Sequence, residues 1–140
     1  MNDAIIQRAD EILADNRARD AARLAPAGVR IVVPQVPPTL NHMYKHHGSR
    51  RILTDEAWAF RQIVALACRG AAPLPAGALR FEMRVVFPDK RRRDVDNRIK
   101  AALDALEQAL GFDDSRVEDM HISKRVEPGQ SYCVLWIGAM

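Results

Sequence analysis

Between residues 79 and 110 the apolar pattern of this chain switches from strict alternation to a helical repeat, and the switch coincides with a block of charge. Leu79, Phe81, Met83 and Val85 alternate with Arg80, Glu82 and Arg84, the pattern of a strand with one buried face and arginines on the wetter one. Pro88 stops it. From Asp96 or Asn97 onward, Ile99, Ala102, Leu103, Leu106 and Leu110 recur on one helical face, and Gly111 stands at the position of a left-handed C-terminal cap. A strand and a helix that each bury one side need a shared core, so the expected fold is α+β.

The remaining segments fill in that fold. Residues 4 to 24 carry Ile5, Ile6, Ala9, Ile12 and Leu13 on one helical stripe, which predicts an amphipathic helix broken by Pro26 and Gly28. Val29 to Val33 reads as a short strand, and residues 39 to 51 as a loop rich in His, Lys and Arg. Thr54 is placed to cap a helix reaching Arg69, with Asp55 and Glu56 in its first turn. Asp113-Asp114 forms a turn, Val117 to Val126 a strand, Glu127-Pro128-Gly129-Gln130 a hairpin turn, and Ser131 to Ile137 a buried strand. The sum is one domain over residues 28–140, a mixed sheet packed with two to three helices, preceded by an N-terminal helical extension over residues 1–27. Trp58 and Trp136, each in apolar surroundings, are assigned to the core.

With 140 residues, 48% of them hydrophobic, the chain can build one ordinary core. No run approaches the roughly 18 apolar residues of a membrane span, and the first residues lack the pattern of a signal peptide, so a soluble, cytoplasmic protein without a membrane partner is expected. Cys68 and Cys133 are too few for a disulfide framework and read as core thiols.

The net charge is only +3, but its distribution is uneven. Residues 80–100 hold Arg80, Arg84, Lys90, Arg91, Arg92, Arg93, Arg98 and Lys100 against Glu82, Asp89, Asp94 and Asp96. Residues 101–140 reverse the balance, with Arg116, Lys124 and Arg125 against seven acids. A local basic footprint around carboxylates is what metal-assisted chemistry on a phosphodiester requires, because oxygen ligands and phosphate-binding cations must lie side by side. Asp94 and Asp96 face the same way if the chain is still extended there. Lys100, four residues after Asp96, can stand beside them without ligating, and Asp114 would close the site from the following turn. Three carboxylates suit Mg²⁺, with Mn²⁺ as a substitute ion. Each piece has a plainer reading: a helix cap for Asp94 or Asp96, a surface ion pair of Lys100 with Asp104, a polar turn for Asp113-Asp114.

The stretch Asp94-Val95-Asp96-Asn97-Arg98-Ile99-Lys100, the Asp104 and Leu106 of the helix behind it, and Asp113-Asp114-Ser115-Arg116-Val117 together resemble the signature of the RusA family of Holliday junction resolvases. Upstream, Pro37-Pro38-Thr39-Leu40-Asn41-His42-Met43-Tyr44 is similar to that family's P-P-S-x-N-x-x-Y segment, with Thr39 in place of the usual Ser. The likeness runs from about Arg30 to Ile137; the N-terminal helix lies outside it. It implies a homodimeric, Mg²⁺-dependent endodeoxyribonuclease that makes paired symmetric nicks in four-way DNA junctions during recombination and repair, in a family often carried by phages and prophages. On that resemblance Asp94, Asp96 and Asp114 hold the metal and, with Lys100, are the catalytic residues. Asn41 and Tyr44 fall on the family motif and contact DNA. Lys45, Arg50, Arg51, Lys90, Arg91, Arg92, Arg93 and Arg98 supply the positive charge that the phosphates of four arms demand.

Two rivals stand beside this reading. A non-catalytic module would bind branched DNA through the same basic face and cut nothing. A nucleotide-sugar transferase would use the D-x-D carboxylates for a metal-diphosphate, although the chain is short for two substrate sites and has no glycine-rich phosphate loop. A zinc site built from His42, His46 and His47 lacks a nearby cysteine.

Overall fold

The structure is a computed structural model that describes residues 3–20 and 27–140. Its elements are α1 (Asp3–Asp20), β1 (Gly28–Val33), β2 (Tyr44–His47), β3 (Arg50–Leu53), α2 (Asp55–Ala67), β4 (Leu79–Phe87), α3 (Ile99–Leu110), β5 (Val117–Val126) and β6 (Tyr132–Ala139), with 3-10 turns at Leu40–His42, Asp96–Arg98 and Asp114–Arg116. A four-stranded sheet in the order β1-β6-β4-β5 carries the domain. It is mixed: β4 runs parallel to β5, and β6 is antiparallel to both β4 and β1. The α+β expectation holds. The end of the N-terminal helix expected over residues 21–24 lies outside the described residues.

Alternation decides which face of the sheet is dry. Ile31 and Val33 of β1, Phe81, Met83, Val85 and Phe87 of β4, and Cys133, Leu135 and Ile137 of β6 meet Phe60, Ile63 and Val64 of α2 and Ala102, Leu103 and Leu106 of α3 in one core. At about 1.5–3 kcal/mol for each large side chain fully withdrawn from water, this cluster supplies most of the drive to fold. Leu13 of α1 packs against the same core, so the helical extension is seated on the domain. Burial pushes the Cys68 thiol up to about 11, raises that of Cys133 further, and leaves both unpaired.

Local chemistry sets the ends of the helices. The Thr54 hydroxyl accepts the Ala57 N–H, as expected of an N-cap. Gly111 takes φ 71° at the end of α3 and its N–H reaches the Glu107 carbonyl.

Three expectations need correction. The segment read as a loop over residues 39 to 51 contains the β2–β3 hairpin, with Tyr44 opposite Leu53 and His47 opposite Arg50. Its residues are too polar to alternate, so the apolar period gave no strand signal. Glu127–Gln130 does not join two paired neighbours: β6 inserts between β1 and β4, and β5 lies at the sheet edge beyond β4. The apolar β6 takes a central place because it has more surface to bury than the mostly exposed β5. Neither tryptophan belongs to the core. Trp58 on α2 is 55% exposed. Trp136 alternates with Leu135 and Ile137, so its ring lies on the sheet face away from the helices.

Candidate active site and nucleic-acid interface

The chain leaves β4 at Phe87 and crosses the top of the sheet before entering α3, and this crossing carries the motif. Phe87 is its anchor. The guanidinium of Arg93 lies 4.8 Å from the Phe87 ring centroid and that of Arg98 5.3 Å from it. Arg93 also donates to Asp89 Oδ1 at 2.7 Å, and Lys124 of β5 donates to the Arg93 carbonyl at 3.0 Å. The Arg93 bond, with the Arg91 N–H donated to the same carboxylate, holds Asp89 below the usual carboxylate range. Arg98 turns inward and donates to the Pro37 carbonyl at 2.7 Å, which ties the proline-rich segment to the start of α3. Burial lowers its pKa. Arg93 and Arg98, both assigned to DNA from sequence, thus brace the crossing, while Lys90, Arg91 and Arg92 stand exposed on it.

The second basic element is the β2–β3 hairpin. Lys45, Arg50 and Arg51 are exposed, and Arg51 lies 4.2 Å from the centroid of the Tyr44 ring. Asn41 is exposed on the preceding 3-10 turn. The His42 ring is hydrogen-bonded to Thr39 through Nδ1 at 2.7 Å. The Thr54 hydroxyl donates to the His42 carbonyl, so the cap of α2 also holds the root of the hairpin. Because Arg98 bonds Pro37 and lies within electrostatic reach of Glu56, hairpin and crossing sit at the same end of the domain.

Asp94 and Asp96 are exposed beside this charge. They are not presented by strand alternation: Val95 between them is in the right-handed helical region, at φ −93° and ψ −26°, where the chain enters a 3-10 turn. Asp96 Oδ1 accepts the Asn97 N–H, and no ion pair holds either carboxylate among the described residues. Lys100 is the second residue of α3 and pairs with Asp104, Nζ to Oδ2 3.2 Å, with 54% of its side chain exposed.

Asp114 stands elsewhere. It opens the 3-10 turn that leads into β5, whose first residue pairs with Leu79 at the beginning of β4, whereas Asp94 and Asp96 follow the end of β4. The Asp104 beside which Asp114 lies is eight residues after Asp96, about 12 Å of helical rise along the chain. Asp114 gathers instead with Asp104 and Glu107, the three carboxylates offering oxygens within 4.8 Å of one another. Desolvation, then the charges of Asp114, Asp104 and Asp113, raise the Glu107 pKa. One chain therefore brings Asp94 near Asp96 in sequence and Lys100 near Asp104 in space, but it does not bring Asp114 to the D-x-D pair. Glu107 was not singled out from sequence, although its i+3 spacing from Asp104 puts both on one face of α3.

The profile of the endodeoxyribonuclease RusA family matches residues 34–130, from the end of β1 to the turn before β6. The chain belongs to the RusA family. It is 38% identical over 92 residues to the crossover junction endodeoxyribonuclease of Enterobacteria phage 82, and 39% identical over 92 residues to that of Escherichia coli K12. The counterpart in Shigella sonnei is 38% identical over the same length. In each case the match spans 63% of this chain and 76% of the relative. The matched region holds every element described above as part of the crossing, the hairpin and α3, and α1 precedes it. No helix among the described residues is long and apolar enough to cross a membrane.

Proposed function

We propose that this RusA-family chain is a homodimeric, Mg²⁺-dependent endodeoxyribonuclease that resolves four-way DNA junctions by paired symmetric nicks, acting in the cytoplasm in recombination and repair. The observation that carries the reading is the exposed Asp94/Asp96 pair, free of ion pairs among the described residues, at a surface flanked by Lys90, Arg91, Arg92 and the Arg50–Arg51 strand. The donor set is all oxygen and accessible, which fits a hard divalent cation that retains waters and takes substrate phosphate oxygens. Such a cation, when bound, polarises the scissile phosphate and acidifies water.

The chain's own residues supply the rest. Lys90, Arg91, Arg92, Lys45 and Arg50 hold the phosphates of the arms, and Asn41 and Tyr44 meet the strand beside them. Asp94 and Asp96 would hold that ion, and their carboxylates face the surface where the phosphates arrive. Lys100 releases Asp104 and places its ammonium where negative charge grows on the phosphorus oxygens.

The position of Asp114 gives the dimer a chemical purpose. Two copies related by a two-fold axis, with their α3 helices antiparallel, would set Asp114 of each beside the Asp94/Asp96 pair of the other, and a junction offers two opposed strands to two such sites. Mixing Asp96→Asn and Asp114→Asn chains tests this with a mobile four-way junction and Mg²⁺. Each variant alone should bind and not cut; the mixture should recover cutting, because one site of the heterodimer then contains only native acids. A mixture as inert as its components would place all three acids in one chain's site. Junction binding by the native protein without cleavage in Mg²⁺ would identify a non-catalytic branched-DNA-binding module instead.

A further inference from the structure

The β2–β3 hairpin stands apart from the four-stranded sheet as a two-stranded sheet of its own. Every residue from Lys45 to Ile52 is exposed, so the core gains nothing from it, and an isolated ribbon of this size is only marginally stable in water. It is nevertheless fixed at its root. Met43 is 1% exposed and its carbonyl accepts the Thr54 N–H at 3.0 Å, which joins the strand ends to the cap of α2. The Arg51 guanidinium over the Tyr44 ring ties the two strands together on the face where Tyr44 and Leu53 are half-buried.

The opposite face pairs Lys45 with Ile52 and His47 with Arg50. From Tyr44 to Leu53 the chain holds Lys45, Arg50 and Arg51 and no acid, so the hairpin is cationic whatever the charge of its histidines. The nearest acids in sequence, Asp55 and Glu56, lie behind the root in the first turn of α2. Dimensions decide what such a ribbon fits. Three steps of about 3.4 Å carry it roughly 10 Å from the root pair Tyr44/Leu53 to the tip pair His47/Arg50. A DNA major groove is about 12 Å wide and about 8.5 Å deep and admits a two-stranded ribbon, whereas the minor groove is only about 6 Å wide. The turn beyond the tip pair is Gly48-Ser49, with Gly48 at φ 66° and open space where a Cβ would stand, so no bulk stops the ribbon short of the groove floor.

We propose that the hairpin enters the major groove of a junction arm, with Arg50 donating to O6 and N7 of one guanine at the groove floor while Lys45, a step from the root, stays level with the phosphates. This rests on the reading of the chain as a junction nuclease, and takes Arg50 past the phosphate rim to the bases. A guanidinium is the side chain whose planar fork matches both guanine acceptors, whereas an ammonium in its place keeps the charge and loses the fork. The hairpin root is tied to α2 by Thr54, and Arg98 ties the proline-rich segment before it to the crossing. An arm read by the ribbon is thereby held in a set position relative to Asp94 and Asp96, so the sequence of the arm, and not only the branch, selects where the nick falls.

The test uses full-length protein in EDTA and a four-way junction whose arms are built of G·C pairs. Methylation of guanine N7, which lies in the major groove, should exclude DNA modified at a short cluster of arm positions from the bound fraction. Replacing guanine by 7-deazaguanine at that cluster should weaken binding by the native protein roughly 5- to 150-fold. For Arg50→Lys, with thermal unfolding confirming the fold, the same replacement should leave affinity unchanged, and the salt dependence should stay native because the charge is kept. Lys45→Ala should keep the 7-deazaguanine penalty and lower the slope of log affinity against log salt by about 0.9 for each hairpin engaged. Native binding that ignores 7-deazaguanine overturns the proposal, as does an equal penalty in Arg50→Lys or an unchanged salt slope in Lys45→Ala. Any of these with junction cleavage in Mg²⁺ intact rejects the hairpin reading alone. A penalty that depends on Arg50, in a protein that does not cut junctions in Mg²⁺, rejects the nuclease reading alone.

Discussion

Replacing Thr54 with alanine removes a hydroxyl that serves two elements at once. Its oxygen accepts the Ala57 N–H at 3.2 Å, capping α2, and its proton goes to the His42 carbonyl at the root of the hairpin. Loss of a threonine cap costs about 0.5–2 kcal/mol, and the second bond adds about 0.5–1.5 kcal/mol before water compensates the exposed carbonyl. A net loss of about 1–2 kcal/mol follows. With an unfolding entropy near 2.1 cal/mol/K for each residue, a 140-residue chain has about 0.3 kcal/mol/K at its midpoint, so Tm should fall by about 3–7 °C. Thr54→Ser keeps the hydroxyl and should stay within about a third of that loss. Differential scanning calorimetry measures both. A Tm within 1 °C of the native value for the alanine variant, or an equal loss in the serine variant, would refute the double role of the hydroxyl.

Two further outcomes are expected. Glu107 has a raised pKa, so its share of stability is complete below its ordinary value of 4.5 and is lost as pH rises through the raised folded value. In EDTA, Glu107→Gln should therefore gain on the native protein in urea midpoint between pH 4 and pH 7; a constant gap would mean that the acid trio does not repel. Junction affinity should fall steeply with salt, by about 10³–10⁵ between 50 and 200 mM if 6–10 phosphates are contacted, and a filter-binding series showing no dependence would remove the basic crossing and hairpin from the interface.

Some of this molecule can be read directly from residue order. The alternation of Leu79 to Val85 fixed the dry face of β4, and the repeat from Ile99 to Leu110 with Gly111 behind it fixed α3 and its end. The assignment of both tryptophans to the core missed a local signal, because Trp58 is off the Ala57, Phe60, Val64 stripe and Trp136 is out of phase with Leu135 and Ile137. The β2–β3 hairpin was not legible, since four charged or histidine side chains at Lys45, His46, His47 and Arg50 carry no apolar period. The inward turn of Arg98 was equally hidden: a guanidinium in a basic run looks like a phosphate ligand until Phe87 and the Pro37 carbonyl are seen beside it.

Residue order by itself determined the chemistry this chain can offer, because hydrophobic period, turn residues and the D-x-D-N-x-x-K string are local properties that survive without a fold. Tertiary structure alone decided where those groups stand. Strand order put β6 between β1 and β4, and the length of α3 set Asp114 at the far end of the helix from Asp94 and Asp96. Both follow from the packing of surfaces distant in sequence, whose relative position no short-range pattern encodes.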